Sequence, residues 1–332
     1  MADQHHHSSR TYPATAEQIS TAGRAWPGRF LSRLPLLLLL LAAALISVQV
    51  RRPAALLTTW LPWIEVATIA VGMTPIVILG GIDLSVGSCF AFAASVFAFC
   101  LQSGTGMLPA VLTAVATATV CGGLNGLLIA RGSPPLLVTL ATMAVFRGLT
   151  LSLFGGERIL VRDVSQFPSL LQLSPQYDLL LLVFLMLQVI VHRCNAGHWI
   201  SAVGENRTAA RIAGIPDRRV DLYCYTGCGF VVGLVAVLNV MHHNVAIPDA
   251  GTGRELQAIA CIIVGGTLIT GGRGRISGTL LGAAVVSSLD IALNFLSTRF
   301  PVISLESRMI VTGILLIGIA ISTQRTAGMQ SE

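Results

Sequence analysis

"ILGGIDLSVGSCF", residues 78–90, sets three glycines, two serines and one carboxylate, Asp83, between two apolar runs. The flanking runs, 59–79 and 84–102, each approach the roughly 20 apolar residues that a helix needs to cross about 30 Å of hydrocarbon. Within hydrocarbon every backbone N–H and C=O must be paired inside the protein, so a break is tolerated only where it packs internally or lines a cavity. Asp83 and Ser85 are good N-cap types, with oxygens able to accept the orphan N–H groups of a helix restarting near Leu84. Two readings of the stretch stay open: a capped turn at the cytoplasmic face, or a broken helix beside a translocation pathway, with Gly80, Gly81 and Gly87 as the break. Either way the chain is a bundle of membrane-crossing helices.

Composition supports this reading. Of 332 residues 54% are hydrophobic and 11% charged, and the mean hydropathy is +0.77, far too apolar for an ordinary soluble domain. All 21 basic residues are arginine. Without lysine the chain holds neither the phosphate-binding lysine of a Walker A loop nor a Schiff-base lysine, so any nucleotide-driven step needs another chain. The net charge of +6 is scattered among apolar segments rather than gathered into a basic and aromatic surface, which argues against nucleic acid. The seven cysteines lack paired CxxC spacing and read as buried thiols, so no metal site is expected.

Ten spans are expected, at 34–50, 59–79, 84–102, 108–130, 135–154, 177–192, 222–242, 256–271, 277–296 and 308–323. They form an all-α membrane domain over 34–323, between a polar tail, 1–33, and a short C-terminal tail, 324–332. Segment 34–50 reads as a retained first span rather than a cleaved signal, because its apolar core begins late. With both termini inside, thirteen arginines lie on the cytoplasmic side and six outside, in keeping with the positive-inside rule. Trp60 and Trp63 then open the second span at the outer interface, where indoles prefer to sit.

A second break, "IIVGGTLITGGRGRISGTLLGA" (262–283), carries Gly265, Gly266, Gly271, Gly272 and Gly274. Paired, interrupted short segments point to a transport site; close packing through small residues is the alternative. Arg273 and Arg275 read as a cytoplasmic turn rather than a ligand clamp. Glu65, Arg147 and Asp290 fall inside spans, where an ionisable group is costly and is expected to be paired or to face water. Asn125, Asn239 and Asn294 could either bond a passing hydroxylated solute or join helices. The longest internal polar stretch, 193–221, offers Asn206 as cap for a short helix over 207–213 that Gly214 ends, with Arg207 and Arg211 on one face.

Four motifs in order, "GGIDLSVGS" (80–88), "PPLLVTLATMAVFRGL" (134–149), "AVGENRTAARIAGI" (202–215) and "GRELQAIACIIVGGTLITGGRGRISGTLLGA" (253–283), resemble the ribose-type sugar permeases of bacterial ABC importers. The likeness runs over about 59–323. It departs from the family pattern at Glu205, where glycine is usual, at Gln257, where aspartate is usual, and at Asp290, where asparagine is common. The resemblance implies a ten-helix permease in the bacterial cytoplasmic membrane that pairs with a second permease copy or paralogue, ABC ATPase subunits and a periplasmic or lipid-anchored sugar-binding protein. It further implies that the chain is no enzyme and binds no cofactor, the ATP-Mg belonging to the ATPase. The 193–221 loop then becomes a coupling loop, with Glu205, Asn206, Arg207, Ala210, Arg211, Gly214 and Ile215 at the ATPase contact. Gly80, Gly81, Asp83, Ser85, Gly87, Asn125, Gly265, Gly266, Asp290 and Asn294 are the expected pathway or broken-helix residues. The solute is a monosaccharide or similar polyol, autoinducer-type furanose derivatives included. A rival reading is a proton-driven transporter with Glu65, Asp83 or Asp290 as relay; an intramembrane enzyme is disfavoured, as no HExxH or GxSxG motif occurs.

Overall fold

Helices surrounded by lipid gain little from hiding apolar side chains from one another, so close backbone approach between small residues decides which of them pair. The computed structural model describes residues 53–161 and 175–299, together with Ile310, Gly313, Ile314 and Gly318. Its elements are α1 (Pro53–Ile78), α2 (Val86–Gln102), α3 (Met107–Ala130), α4 (Pro135–Phe154), β1 (Ile159–Leu160), α5 (Pro175–Arg193), α6 (Asn195–Glu205), α7 (Arg207–Ile212), α8 (Asp217–His243), β2 (Val245–Ala246), α9 (Arg254–Val264) and α10 (Ile276–Arg299). The most extensive pairing is α3 with α8. There a Cβ on Gly122 would run into the Tyr225 carbonyl oxygen, and one on Gly229 into that of Ala118. Gly126 against Leu222 and Gly233 against Val115 extend the contact by a turn at each end.

α1 is the central mast. Of its Trp60–Ile78 segment 83% is buried, against 33% for α3 and 22% for α4, so α3 and α4 form one flank of the bundle. Their outward leucines, among them Leu112, Leu137 and Leu153, suit lipid. Thr68 and Thr74 return their hydroxyls to the Ile64 and Ala70 carbonyls, which lets α1 carry polar side chains through the interior without unmet bonds.

Among the described residues, six helices are long and apolar enough to cross a membrane: the Trp60–Ile78 part of α1, α3, α4, α5, α8 and the Ile276–Asn294 part of α10. These coincide with six of the ten expected spans. The expected span at 84–102 is a shorter helix of 17 residues, α2. The one at 256–271 is corrected more strongly: α9 ends at Val264 after 11 residues, and 265–275 is a loop with Gly266, Gly271 and Gly272 in the left-handed region. Glycine alone takes that conformation without a Cβ penalty, which is why the apolar run "VGGTLITGG" does not continue as helix. The expected spans at 34–50 and 308–323 lie outside the described residues, save for four helical positions in the second. β1 and β2 form a two-residue antiparallel pair that the all-α reading did not include.

The α3–α8 contact yields a stability prediction. Gly229→Val should destabilise the protein by about 2 kcal/mol through overpacking, whereas Gly227→Ala, which faces open space, should change it by less than about 0.5 kcal/mol. Denaturant unfolding of the purified chain in mixed micelles reads both.

Candidate functional site

The two breaks are where the bundle departs from regular helix, and the structure brings them against each other. After α1 ends, residues 81–85 are non-helical and run inward. The Ile82 carbonyl accepts from Thr139 Oγ1, one turn into α4, at 3.3 Å, and Ser85 Oγ accepts from Asn125 Nδ2 at 2.7 Å, five residues before α3 ends. Asp83 Oδ1 receives both the Ser85 backbone N–H, at 2.9 Å, and its hydroxyl, at 2.7 Å. The cap on this break is thus Asp83; Ser85 takes the N-cap position without a side-chain cap bond of its own. Asp83, Ser85 and Asn125 are all buried. Asn125 Oδ1, together with Ser95 Oγ on α2, is a buried acceptor without a hydrogen-bond partner. The 81–85 stretch packs internally, with Asp83 and Ser85 buried and Ser85 bonded to α3.

At the second residue of α2, a Cβ on Gly87 would collide with the Gly251 carbonyl and the Glu255 carboxylate. Gly87 therefore admits the second irregular segment, 247–253, into the bundle. That segment is clasped from two sides. Arg254 reaches Glu65 Oε2 at 2.7 Å, Asn239 Nδ2 donates to both Glu65 oxygens at 2.8 and 2.9 Å, and the Arg254 guanidinium lies 4.2 Å over the Phe90 ring. On the other flank Arg147 donates to the Pro248 and Ala250 carbonyls at 3.0 and 2.8 Å and to Thr252 Oγ1 at 3.2 Å, with Asp249 at 3.5 Å. Glu65 is only 2% exposed, so this network balances a charge that would otherwise be very costly. Of the span charges expected to be paired or to face water, Glu65 and Arg147 are paired, and the cation that meets Glu65 is Arg254 at the start of α9. The signal in the sequence was partial: a carboxylate in the middle of an apolar run calls for a partner, without saying which one.

Thirteen residues, about 20 Å of helix, separate Glu65 from Ile78, where the opposite end of the site is tied. The Gly272 N–H donates to the Ile78 carbonyl at 2.8 Å. Gly271, Gly80 and the C-terminal end of α6 at Gly204 meet there backbone to backbone; a Cβ on Gly204 would strike the Ile78 carbonyl. α7 follows immediately, with Asn206 Oδ1 accepting from the Ala209 N–H at 3.0 Å as its cap and Gly214 leaving it in a left-handed conformation. Arg207 grips Asp221 with two bonds, 2.6 and 2.9 Å, and Arg211 reaches Asp217 at 2.7 Å. These carboxylates raise the Arg207 and Arg211 affinities for their protons above the ordinary arginine value. The two arginines share one face as expected, and that face is turned to α8. Ala210 is buried, while Glu205, Asn206 and Gly214 are exposed and Ile215 is half-buried. Ile212, 84% exposed, is the apolar side chain that α7 presents outward, and it was missed from sequence.

Gly80, Asp83, Ser85, Gly87 and Asn125 are thus gathered around the first break, with Gly81 against the Tyr225 hydroxyl. Gly265 packs on Gly278 at the α9–α10 crossing, and Gly266 begins the loop beside it. Asp290, half-buried, and Asn294, exposed, lie farther along α10, which packs on α9, α1 and α5. Among the described residues no group of three or more potential metal ligands occurs.

Residues 56–320 match the family described as "Branched-chain amino acid transport system / permease component". The chain is 34% identical over 267 residues to the ribose import permease protein RbsC of Bacillus subtilis, covering 78% of this chain and 81% of that one. Against the protein of the same name from Escherichia coli it is 33% identical over 260 residues, 76% and 79% of the two chains. The autoinducer 2 import system permease protein LsrC of Yersinia pseudotuberculosis is 29% identical over 258 residues, 76% and 72% of the two chains. No solved structure matches.

Removing Glu65 alone should leave Arg254 uncompensated. Glu65→Leu is expected to cost about 3 kcal/mol or more, and adding Arg254→Met should restore much of the loss. A double-mutant cycle on unfolding in mixed micelles reads the coupling.

Proposed function

We propose, from the premise that this chain belongs to the family of transport-system permease components, that it is the membrane-spanning subunit of an ATP-driven importer for a monosaccharide or a related small polyhydroxylated solute. The observation that carries this is the match of residues 56–320 together with relatives named as ribose and autoinducer 2 import permeases. It is a multi-pass membrane protein, and we place it in the bacterial cytoplasmic membrane with both termini inside, so that the α7 end of the bundle is cytoplasmic. The chain itself makes and breaks no covalent bond. ATP-Mg would be bound and hydrolysed by separate ATPase subunits, a second permease copy or paralogue would complete the pore, and an external binding protein would deliver the solute.

The geometry supports one mechanism for this role. α7 offers Ile212 and the exposed backbone around Gly214 to an ATPase, while the Arg207 and Arg211 bonds lock α7 to the first two turns of α8. A push on α7 is therefore delivered to α8, and through Gly204 to the end of α1 and the 271–272 loop. At the far end the 247–253 segment, held by Glu65 and Arg147, lies across the start of α2 as an outer closure. Alternating access then consists of loosening one end while the other holds. The ATPase must bind the two states unequally, since a partner indifferent to both shifts nothing. The unpartnered acceptors Asn125 Oδ1 and Ser95 Oγ supply weak hydrogen-bonding sites for hydroxyl groups. A weakly polar path is the right design, because tight binding would hinder release. The proton-driven reading has less support: the Glu65 carboxylate is already held by Arg254 and Asn239.

Co-purification with candidate ATPases, followed by ATP hydrolysis in liposomes as sugar-loaded binding protein is added, tests the assignment. Stimulated hydrolysis with uptake is expected; uptake that needs no ATPase and follows a proton gradient would overturn it. Ile212→Asp should leave insertion and folding unchanged yet reduce ATPase association and uptake by about tenfold or more, as loss of a buried apolar contact predicts. Pull-down and uptake assays check it.

A further inference from the structure

The α9–α10 loop does more than turn the chain. Between it, the end of α5 and α6 lies a cavity of about 680 Å³, lined among others by His192, Ser201, Gly266, Gly272, Arg273 and Arg275. Every charged or ionisable side chain among the described lining residues is basic. Glu205, whose Cβ lies beside Gly272, is outside that lining. The glycines leave the floor without side chains, so a ligand can approach the backbone closely. Arg273 and Arg275 are exposed, and among the described residues neither guanidinium has a hydrogen bond or ion pair. The contrast with Arg147, Arg207, Arg211 and Arg254, each tied to a carboxylate, is direct. Two unpaired guanidiniums over a glycine floor, with a hydroxyl and an imidazole on the walls, are complementary to a group with several anionic oxygens, which arginine recognises with paired N–H bonds.

We propose that this cavity is a binding site for a phosphate group, presented either by an anionic lipid headgroup or by a free phosphate anion. Its position gives occupancy a consequence. The same loop donates the Gly272 N–H to Ile78 and packs Gly271 on Gly80 and Gly204. A phosphate bridging Arg273 and Arg275 to the α5–α6 side stiffens that junction and raises the stability of the closed inner end. Binding itself is independent of the transport reading and is tested without it.

The purified full chain in uncharged detergent is titrated with inorganic phosphate against chloride at equal ionic strength, with the unfolding midpoint as readout. In parallel, native mass spectrometry scores retention of phosphatidylglycerol over phosphatidylcholine. A saturable rise in midpoint with phosphate, retention of phosphatidylglycerol, or both is expected, the pattern telling free anion from headgroup. Arg273→Gln with Arg275→Gln should weaken either by about tenfold or more, whereas Arg218→Gln with Arg219→Gln, on exposed α8 positions, should not. Ser201→Leu, which fills the cavity and leaves both arginines, should also abolish binding and serves if the double variant fails to fold. No response to either probe, or equal binding by the Arg273/Arg275 variant, overturns the proposal, as does equal loss in the Arg218/Arg219 control.

Discussion

The constraint on which this structure depends is that a backbone inside hydrocarbon has no water to turn to. Regular helix meets it automatically. Where the chain leaves helix, at 81–85, 247–253 and 265–275, each freed group must find a partner, and the partners found are what give the bundle its particular shape. Asp83 accepts the bonds that open α2, Arg147 takes up the carbonyls of the 247–253 segment, and Ile78 receives the Gly272 N–H. At the breaks, polar side chains are placed to satisfy irregular backbone.

That principle explains why the charged groups sit as they do. A carboxylate at Glu65 would be intolerable alone; joined to Arg254 and Asn239 it ties α1, α8 and α9 at one level. The pairing adds little net stability over an apolar alternative, since desolvation offsets most of the attraction. It gives register instead: a short helix of 11 residues, too short to span, is held at one depth relative to its neighbours.

Much of this was legible in the sequence, and the limits are physical. Apolar run length identified the six long helices because hydrocarbon thickness sets that length directly. Glycine clusters located both breaks, and Asn206 with Gly214 bounded α7 closely. Run length failed at 256–271, where apolar composition continued through residues whose backbone turns left-handed. It could not assign Arg254 to Glu65, since partners 189 positions apart are set by tertiary packing. Nor could it tell that Arg207 and Arg211 turn toward α8 while Ile212 turns away, because the helix face that docks on α8 is chosen by Asp217 and Asp221.

The meeting of Gly80, Gly204 and Gly271 is a joint made of bare backbone. Interlocking side chains resist sliding, because each knob must climb out of its hole before it moves. Surfaces without knobs lack that resistance, yet they cannot compress, since main-chain atoms already touch. Such a joint behaves as a bearing: stiff to a push along its normal, compliant to shear. It would carry a displacement from one side of the bundle to the other with little loss while letting the helix ends change their angle.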